Sequence, residues 1–468
     1  MLIIPLNTGS SVPLYEQIYN YMKQEIRTGK LAVATKLPST RSLSSNLQIS
    51  RSTVELAYSQ LISEGYIEAR PKSGYYVLSI GDLVELPQEK LLANTQCIKK
   101  KEALEYDFSP FSVDIQEFPF ATWRKLSNQC MNDMNQDLFL LGESKGDRNL
   151  REAIARYLHS SRAVSVEAER IIIGAGTDYL LQLLTQILSD HHIIAMENPS
   201  YKRAFHIFSG LGYEVAPIAV ENDGVSVEEL YKTKADLCYV TPSHQYPLGV
   251  IMPIKKRMEL LSWAFSAKNR YIIEDDHDSE FRYKGKPIPS LQGMDHNGKV
   301  IYLGTFSRAI APAIRMGYMV MPRELMKQYQ EKLFYYASTV SRIDQAIMCE
   351  FINGGFFERH VNKMRTLYKS KHDLLLKTLK IFGNQITVSG EYAGLHLVVE
   401  FKVDLNEEQL IQKAKEGGIH LYGLNRHFIR NEITKFPTIL IGFANVSEKT
   451  IEDGIQTLFD ILKKDFIS

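Results

Sequence analysis

Cysteine is scarce and scattered. Cys97, Cys130, Cys238 and Cys349 are the four in 468 residues, and no two form a CxxC pair. That excludes a disulfide framework and a zinc ribbon, leaving isolated buried thiols. Long apolar runs are missing too: nothing approaches the ~18 uninterrupted apolar residues of a membrane helix. Met1-Leu2-Ile3-Ile4-Pro5 has neither the basic flank nor the length of a secretory signal. No membrane partner, no metal and a cytoplasmic location are therefore expected. Net charge is nearly absent, at +1 from 55 Lys+Arg and 54 Asp+Glu. A histone-like polycation is excluded, but a nucleic-acid site is not, because a whole-chain total can hide a basic segment beside an acidic one. The first 80 residues hold 8 Lys+Arg against 5 Asp+Glu, and the other 388 hold 47 against 49.

What is present is the composition of an ordinary folded chain, 44% apolar and 23% charged, long enough for two or three domains. In the first 78 residues, Leu14, Ile18, Met22 and Ile26 recur at i+4 and predict a helix ending near Thr28-Gly29. A second helix is expected after Pro38-Ser39-Thr40, with Leu43 and Leu47 inward. A third is expected from Ser50-Arg51-Ser52, with Ser52-Thr53-Val54-Glu55 as a capping box and Val54, Tyr58, Leu61 and Ile62 buried. Tyr66-Ile67-Glu68-Ala69 and Gly74-Tyr75-Tyr76-Val77 read as strands about a turn at Pro71-Lys72-Ser73.

Three helices and a β-wing are the arrangement of a winged helix-turn-helix. The third helix would enter the major groove with Arg51, Ser52 and Thr53 on base edges, while Arg41 and Lys72 meet phosphates. A small helical domain with ordinary surface arginines is the other reading of the pattern. Leu37-Pro38-Ser39-Thr40-Arg41-Ser42-Leu43, Ser50-Arg51-Ser52-Thr53-Val54, Leu61-Ile62-Ser63-Glu64-Gly65-Tyr66-Ile67 and the wing Ser73-Gly74-Tyr75-Tyr76-Val77 closely resemble the DNA-binding domain of GntR-type bacterial regulators. The resemblance implies a double-stranded DNA operator as partner, with Ser39, Thr40, Ser50 and Gly74 joining the contact set.

Residues 79–115 lose periodicity and carry the run Lys99-Lys100-Lys101, so a linker is expected there. From 116 to 468, helical patterns alternate with the apolar runs Ile171-Ile172-Ile173, Ile193-Ile194-Ala195-Met196, Leu237-Cys238-Tyr239-Val240, Tyr271-Ile272-Ile273 and Val300-Ile301-Tyr302-Leu303. Apolar rather than alternating runs indicate strands buried on both faces, hence an α/β fold with a mostly parallel sheet. Ligands of such sheets gather at the carboxyl ends of the strands.

Several informative residues fall at those ends. Gly174-Ala175-Gly176-Thr177 is a glycine-rich helix start suited to a phosphate. Glu274-Asp275-Asp276-His277-Asp278-Ser279-Glu280 comes after another apolar run. It reads either as a hard-metal cluster or, the preferred reading, as one buried carboxylate among solvated neighbours. Thr305-Phe306-Ser307-Arg308, with Arg315 seven residues on, again offers hydroxyls and a guanidinium to a phosphate. Arg426 could clamp a carboxylate in bidentate fashion.

In order, and with Gly146-Asp147-Arg148-Asn149-Leu150-Arg151, Asn198-Pro199-Ser200-Tyr201 and Thr241-Pro242-Ser243-His244-Gln245-Tyr246-Pro247-Leu248-Gly249, these motifs resemble the fold-type I aminotransferases. Joined to a GntR-type segment, the chain resembles the MocR subfamily of regulators. That resemblance implies pyridoxal 5′-phosphate as cofactor. Ala175, Gly176 and Thr177 would hold its phosphate, with Thr305, Ser307 and Arg315 on the other side. Tyr201 would stack on the ring, Asp275 would pair with the pyridinium nitrogen, and Tyr246 would lie near the ring's O3′ edge. Arg426, assisted by Arg203, would take the carboxylate of a small-molecule effector. A homodimer is implied, since such domains build each site at a two-fold interface.

Two positions depart from the family pattern. Arg308 stands where the Schiff-base lysine is expected. A guanidinium stays protonated and is a poor nucleophile, so it neither forms the imine nor serves as the proton-shuttling base. No catalytic residue is expected, and cofactor binding would be non-covalent. Lys284 and Lys286 lie beyond the acidic run and do not replace it. Arg308 could be a substitution for a natural lysine, bind the cofactor's phosphate or aldehyde oxygen, or pair with Asp275 or Asp278. His277 stands where a tyrosine usually meets the cofactor's phenolic oxygen. Three functions are weighed: a regulator sensing pyridoxal phosphate, an amine or an amino acid; a degenerate, cofactor-free dimerisation domain; and an active aminotransferase, which Arg308 disfavours.

Overall fold

The computed structural model describes residues 4–79, 105–189, 192–283, 285, 288–430 and 434–466. The expected lysine run 99–101, Lys284 and Lys286 lie outside the described residues. The chain forms two compact units, Met1–Lys101 and Glu102–Ser468.

In the first unit the elements are α1 (Leu14–Arg27), β1 (Lys36–Leu37), α2 (Thr40–Leu47), α3 (Arg51–Ser63), β2 (Ile67–Arg70) and β3 (Gly74–Val77). The strands pair antiparallel in the order β1-β3-β2. Ile18, Met22 and Ile26 of α1 share a core with Leu43, Val54, Ala57, Tyr58 and Leu61. Two expectations need correction. The cap of α3 is Ser50, whose backbone is extended and whose Oγ accepts from the Thr53 N–H at 3.3 Å. Ser52 is already helical, and Glu55 pairs with Arg51 at 2.7 Å instead of closing a capping box. Ile62 is 38% exposed; the buried stripe runs 54, 57, 58, 61, the i, i+3, i+4, i+7 spacing of one helix face.

The second unit begins earlier than composition suggests. β4 (Tyr106–Asp107) pairs parallel with residues 419–420, and Phe108 is wholly buried, so the last part of the expected 79–115 linker belongs to the folded body. After α4 (Phe120–Cys130) and α5 (Arg148–Arg162) come β5 (Ile171–Gly174), α6 (Thr177–Ile187), β6 (Ile193–Asn198), α7 (Lys202–Gly210), β7 (Glu214–Glu221), β8 (Gly224–Val225), β9 (Leu237–Val240), β10 (Tyr271–Asp276), β11 (Val300–Thr305) and β12 (Gly317–Val320). They form an eight-stranded sheet in the order β5-β12-β11-β10-β9-β6-β7-β8. β11, β10, β9, β6 and β7 are parallel, while β12 runs antiparallel to both β11 and β5. Successive residues alternate between two cores. Ile172, Met196, Tyr239 and Leu303 enter one with Leu180 and Phe208 of the helices, and Ile171 and Ile173 enter another with Leu150 and Ile154. That double burial is what the unbroken apolar runs encode.

The C-terminal portion adds β13 (Ile386–Ser389), β14 (His396–Phe401), β15 (Ile419–His420), β16 (Tyr422–Gly423) and β17 (Thr438–Gly442). β13-β14-β17-β16 form a second, antiparallel sheet sharing a core with the helices Phe356–Leu379 and Glu448–Leu462. No described helix is long and apolar enough to cross a membrane.

Candidate functional site

The carboxyl ends of the parallel strands open on a cavity of about 560 Å³. Because β12 runs the other way, its start reaches the same end of the sheet, and Gly174, Gly317 and Thr305 lie in register across three strands.

One corner is built where β5 turns into α6. Gly176 has φ +84°, and a Cβ there would lie 2.9 Å from Arg315 Nη2, so glycine both permits the turn and admits the guanidinium. Arg315 Nη2 lies 3.3 Å from Asp178 Oδ2, which Arg203 also approaches at 3.6 Å. Thr177, Thr305, Ser307 and Arg315 line the cavity here. The Ser307 hydroxyl is buried without a partner among the described residues. Ala175 differs from expectation: its N–H is engaged by Thr339 Oγ1 at 3.1 Å, which keeps that donor from a ligand in this state.

The acidic run is resolved residue by residue, and it differs from expectation in two respects. Its first three residues, Glu274–Asp276, belong to β10 and do not follow it, and the neighbours of the central carboxylate are not solvated. Glu274 accepts from the Leu291 and Gln292 N–H groups at 2.8 Å. Asp276 pairs with Arg162 at 2.7 Å and accepts from the Tyr302 hydroxyl, and Glu280 accepts from Tyr157. Asp275 is the carboxylate of the strand that lines the cavity, oriented by a hydrogen bond from the Tyr239 hydroxyl. Burial raises its pKa from the ordinary value, because the charged form is disfavoured away from water, and a cation beside it would offset that cost. Asp278 turns away to His244 Nδ1 at 3.0 Å and His277 Nε2 at 3.3 Å. Burial opposes its charge, but the two histidines outweigh this and hold it well below the usual range. His277, which lines the cavity, is correspondingly raised: burial disfavours its charge, and Asp278 and Asp275 more than offset that. His244, His277 and Asp278 bring three metal-ligand-type atoms within 4.8 Å of one another, with the Asp278 oxygens already facing the two rings.

Tyr201 and Tyr246 meet edge-on, ring centroids 5.9 Å apart. Burial pushes the Tyr201 phenol up to about 12 and the Tyr246 phenol higher, so both stay protonated. The Tyr246 hydroxyl is buried without a partner among the described residues. Arg426 lies between the rings of Phe111 and Tyr422, its Cζ 5.1 and 5.0 Å from their centroids. Arg203 lines the rim, mostly exposed. Arg308 donates from Nη1 to the Pro110 carbonyl at 3.0 Å rather than pairing with Asp275 or Asp278.

Three contributors escape sequence reasoning. Phe111 falls in the expected linker yet forms a wall. Tyr239 is an ordinary strand residue by pattern but orients Asp275. Lys202 lines the cavity with its Nζ on the Phe428 carbonyl at 2.6 Å, and burial lowers its pKa. Its position directly after Tyr201 was the available signal.

In the smaller unit, Arg41, Arg51, Ser52 and Lys72 are exposed. Ser39 caps α2, its Oγ accepting from the Ser42 N–H at 3.1 Å. Ser50 Oγ is engaged with Ser52 at 2.8 Å and with the less exposed Thr53 at 2.9 Å. Gly74 opens the wing strand at φ +116°. Thr40 departs from expectation: it is buried with its hydroxyl toward Glu55, so its side chain supports the helix pair instead of facing outward.

The two units define a class, a DNA-reading winged helix joined to a body of aminotransferase fold. Residues 14–77 match the bacterial regulatory proteins of the gntR family, and residues 111–458 match aminotransferase class I and II. The chain is 32% identical over 471 aligned residues to the probable rhizopine catabolism regulatory protein MocR of Rhizobium meliloti, covering 97% of this chain and 95% of that protein. It is 28% identical over 465 residues to the pyridoxine biosynthesis transcriptional regulator PdxR of Corynebacterium glutamicum, covering 98% of each. The Pyrococcus horikoshii kynurenine aminotransferase structure superposes with a TM-score of 0.68 at 23% identity, over 77% of this chain and 91% of that one. The chain belongs to the MocR-type transcriptional regulators, in which a GntR domain precedes a class I and II aminotransferase domain.

Proposed function

We propose that this regulator reads an operator through α3 and its wing and senses a pyridoxal phosphate-type ligand in the cavity without a covalent bond. A homodimer would present two readers to a repeated half-site. The observation that supports the sensor reading is that buried Asp275 reaches the cavity while Arg308, which the family resemblance sets at the lysine position, also lines it. The residues fit the group. Ser307 and Tyr246 present buried hydroxyls without partners among the described residues, and Gly176 leaves room beside Arg315. Bound pyridoxal phosphate supplies an electron-withdrawing ring. Around it, Asp275 would keep the ring nitrogen protonated, His277 would donate to the phenolic oxygen, and Thr177, Ser307 and Arg315 would hold the phosphate.

Turnover is disfavoured because Arg308 offers no neutral amine to accept and return a proton. A cofactor-free dimerisation domain is the second reading, favoured by the Arg308 to Pro110 hydrogen bond, which needs no ligand. Thermal unfolding of the whole chain with pyridoxal phosphate or pyridoxamine phosphate separates the two. The sensor reading expects a concentration-dependent rise in the midpoint. No shift with either compound supports the dimerisation domain.

A further inference from the structure

Histidines gather on one side of the cavity. The rings of His277, His396 and His427 surround Tyr246 with centroids 5.6, 5.8 and 5.2 Å away. His244 lies beside His277 and His396, at 6.0 and 5.8 Å. Two of these rings converge with a carboxylate. β10 ends at Asp276 and the chain bends at 277–278, so neighbouring side chains that a strand would send to opposite faces come together. His277 Nε2 lies 3.3 Å from Asp278 Oδ1, and His244 Nδ1 lies 3.0 Å from Asp278 Oδ2. A nitrogen from each ring and an Asp278 oxygen fit within 4.8 Å of one another. His244 and Asp278 are each 1% exposed, and His277 is the member that lines the cavity. Despite its approach to Asp278, the buried His277 Nε2 has no hydrogen-bond partner among the described residues.

The arrangement offers two imidazole nitrogens and one carboxylate oxygen. Mg²⁺ and Ca²⁺ prefer oxygen-rich shells, and Cu⁺ prefers thiolates, of which this group has none. Zn²⁺ accepts such a donor set, with a fourth position left to water or a ligand. In a tetrahedral shell its ligand atoms stand roughly 3.3 Å apart, at bonds of about 2.0–2.1 Å. Asp278 is already near that separation from both rings. The ring nitrogens, within 4.8 Å, need to close by about 1.5 Å or less, and His277 faces the cavity, where it has room to turn. The scarcity of cysteine excludes a thiolate site and leaves this one open. We propose that His244, His277 and Asp278 form a binding site for a divalent transition-metal cation of the Zn²⁺ class, with its fourth position towards the cavity.

The test uses the metal alone as probe. The full chain, stripped with chelator, is titrated with Zn²⁺ by calorimetry. A parallel titration with Co²⁺ follows visible absorption, which is far stronger for a tetrahedral ion than for the hydrated one. One equivalent per chain and a tetrahedral spectrum are expected. His277→Phe keeps a ring at the cavity wall but removes the donor, and Asp278→Asn keeps the volume but removes the charge. Each is expected to weaken that equivalent by about tenfold or more, with the metal-free thermal midpoint as the check on folding. If Asp278→Asn does not fold, His277→Phe decides alone. No saturable equivalent, an octahedral Co²⁺ spectrum, or an affinity unmoved in His277→Phe overturns the proposal. The vitamin B6 reading stands or falls separately, on the thermal shifts described above.

Discussion

Arg308 reaches across the cavity wall to donate a 3.0 Å hydrogen bond to the carbonyl oxygen of Pro110, in the stretch that also supplies Phe111. That hydrogen bond fastens Arg308 to the cavity's own wall.

The purified protein with added pyridoxal phosphate should therefore show no protein-bound Schiff-base absorbance. Borohydride treatment should leave the chain's mass unchanged. A reduced adduct would contradict this, and peptide mapping would show whether Lys202, whose amine burial makes easier to deprotonate, is its site. Arg308→Lys should produce the absorbance if the remaining pocket is competent; a colourless variant would mean that it is not.

Arg51 sits exposed at the start of α3, where it pairs with Glu55, itself exposed. Such a pair contributes ~1 kcal/mol or less to stability. Arg51→Ala should therefore leave the thermal midpoint nearly unchanged. Its operator affinity should fall by about 1–3 kcal/mol, as for loss of one base-reading side chain. Unchanged affinity in a mobility-shift titration would remove α3 as the reading helix.

Glu197 is buried beneath the cavity, accepting from the Thr241 N–H and hydroxyl, and burial raises its pKa to about 7. A carboxyl raised in the folded state keeps its proton longer there than in the unfolded chain. Stability is then greatest below the unfolded value and falls as pH rises through the window up to about 7. Glu197→Gln should flatten this decline and stabilise the protein at pH 8 by roughly 3 kcal/mol or less. Glu274 and Glu280, also raised to about 7, should keep the slope from vanishing. Denaturant midpoints measured from pH 5 to 8 provide the check.

Arg162 and Asp276 form a buried pair at 2.7 Å, with Arg162 also donating to Ser243 Oγ and the Ile288 carbonyl. Arg162→Ala strands the carboxylate in the core and should cost about 3–5 kcal/mol. A loss under 1 kcal/mol in chemical denaturation would mean that water reaches Asp276.

Much of this site is legible in the sequence because strands buried on both faces leave their signature in unbroken apolar stretches, and the residues just past such a stretch lie at the ligand-binding end. Gly176 and Asp275 are found in that way. The extent of burial is not legible: nothing in Glu274-Asp275-Asp276 announces that all three are strand residues with dedicated partners in Leu291, Tyr239 and Arg162. Partnership across long separations hides Lys202 and Phe111, whose roles depend on Phe428 and Arg426 more than 200 residues away. Ser52 reads as the cap of α3 because Ser52-Thr53-Val54-Glu55 has capping-box spacing, but Ser50, two residues earlier, satisfies the same local rule and takes the position.

The reversed strand β12 has a thermodynamic corollary. It delivers Arg315 beside Thr177 and Thr305, which reach that corner from segments far apart in the chain. An unfolded chain holds no such assembly, so any anion held there binds the native state alone. Its concentration then becomes a lever on survival of the whole sheet: at a hundred times its dissociation constant it adds about 2.7 kcal/mol to the unfolding free energy. A cell rich in the ligand would keep more of this regulator folded as well as liganded.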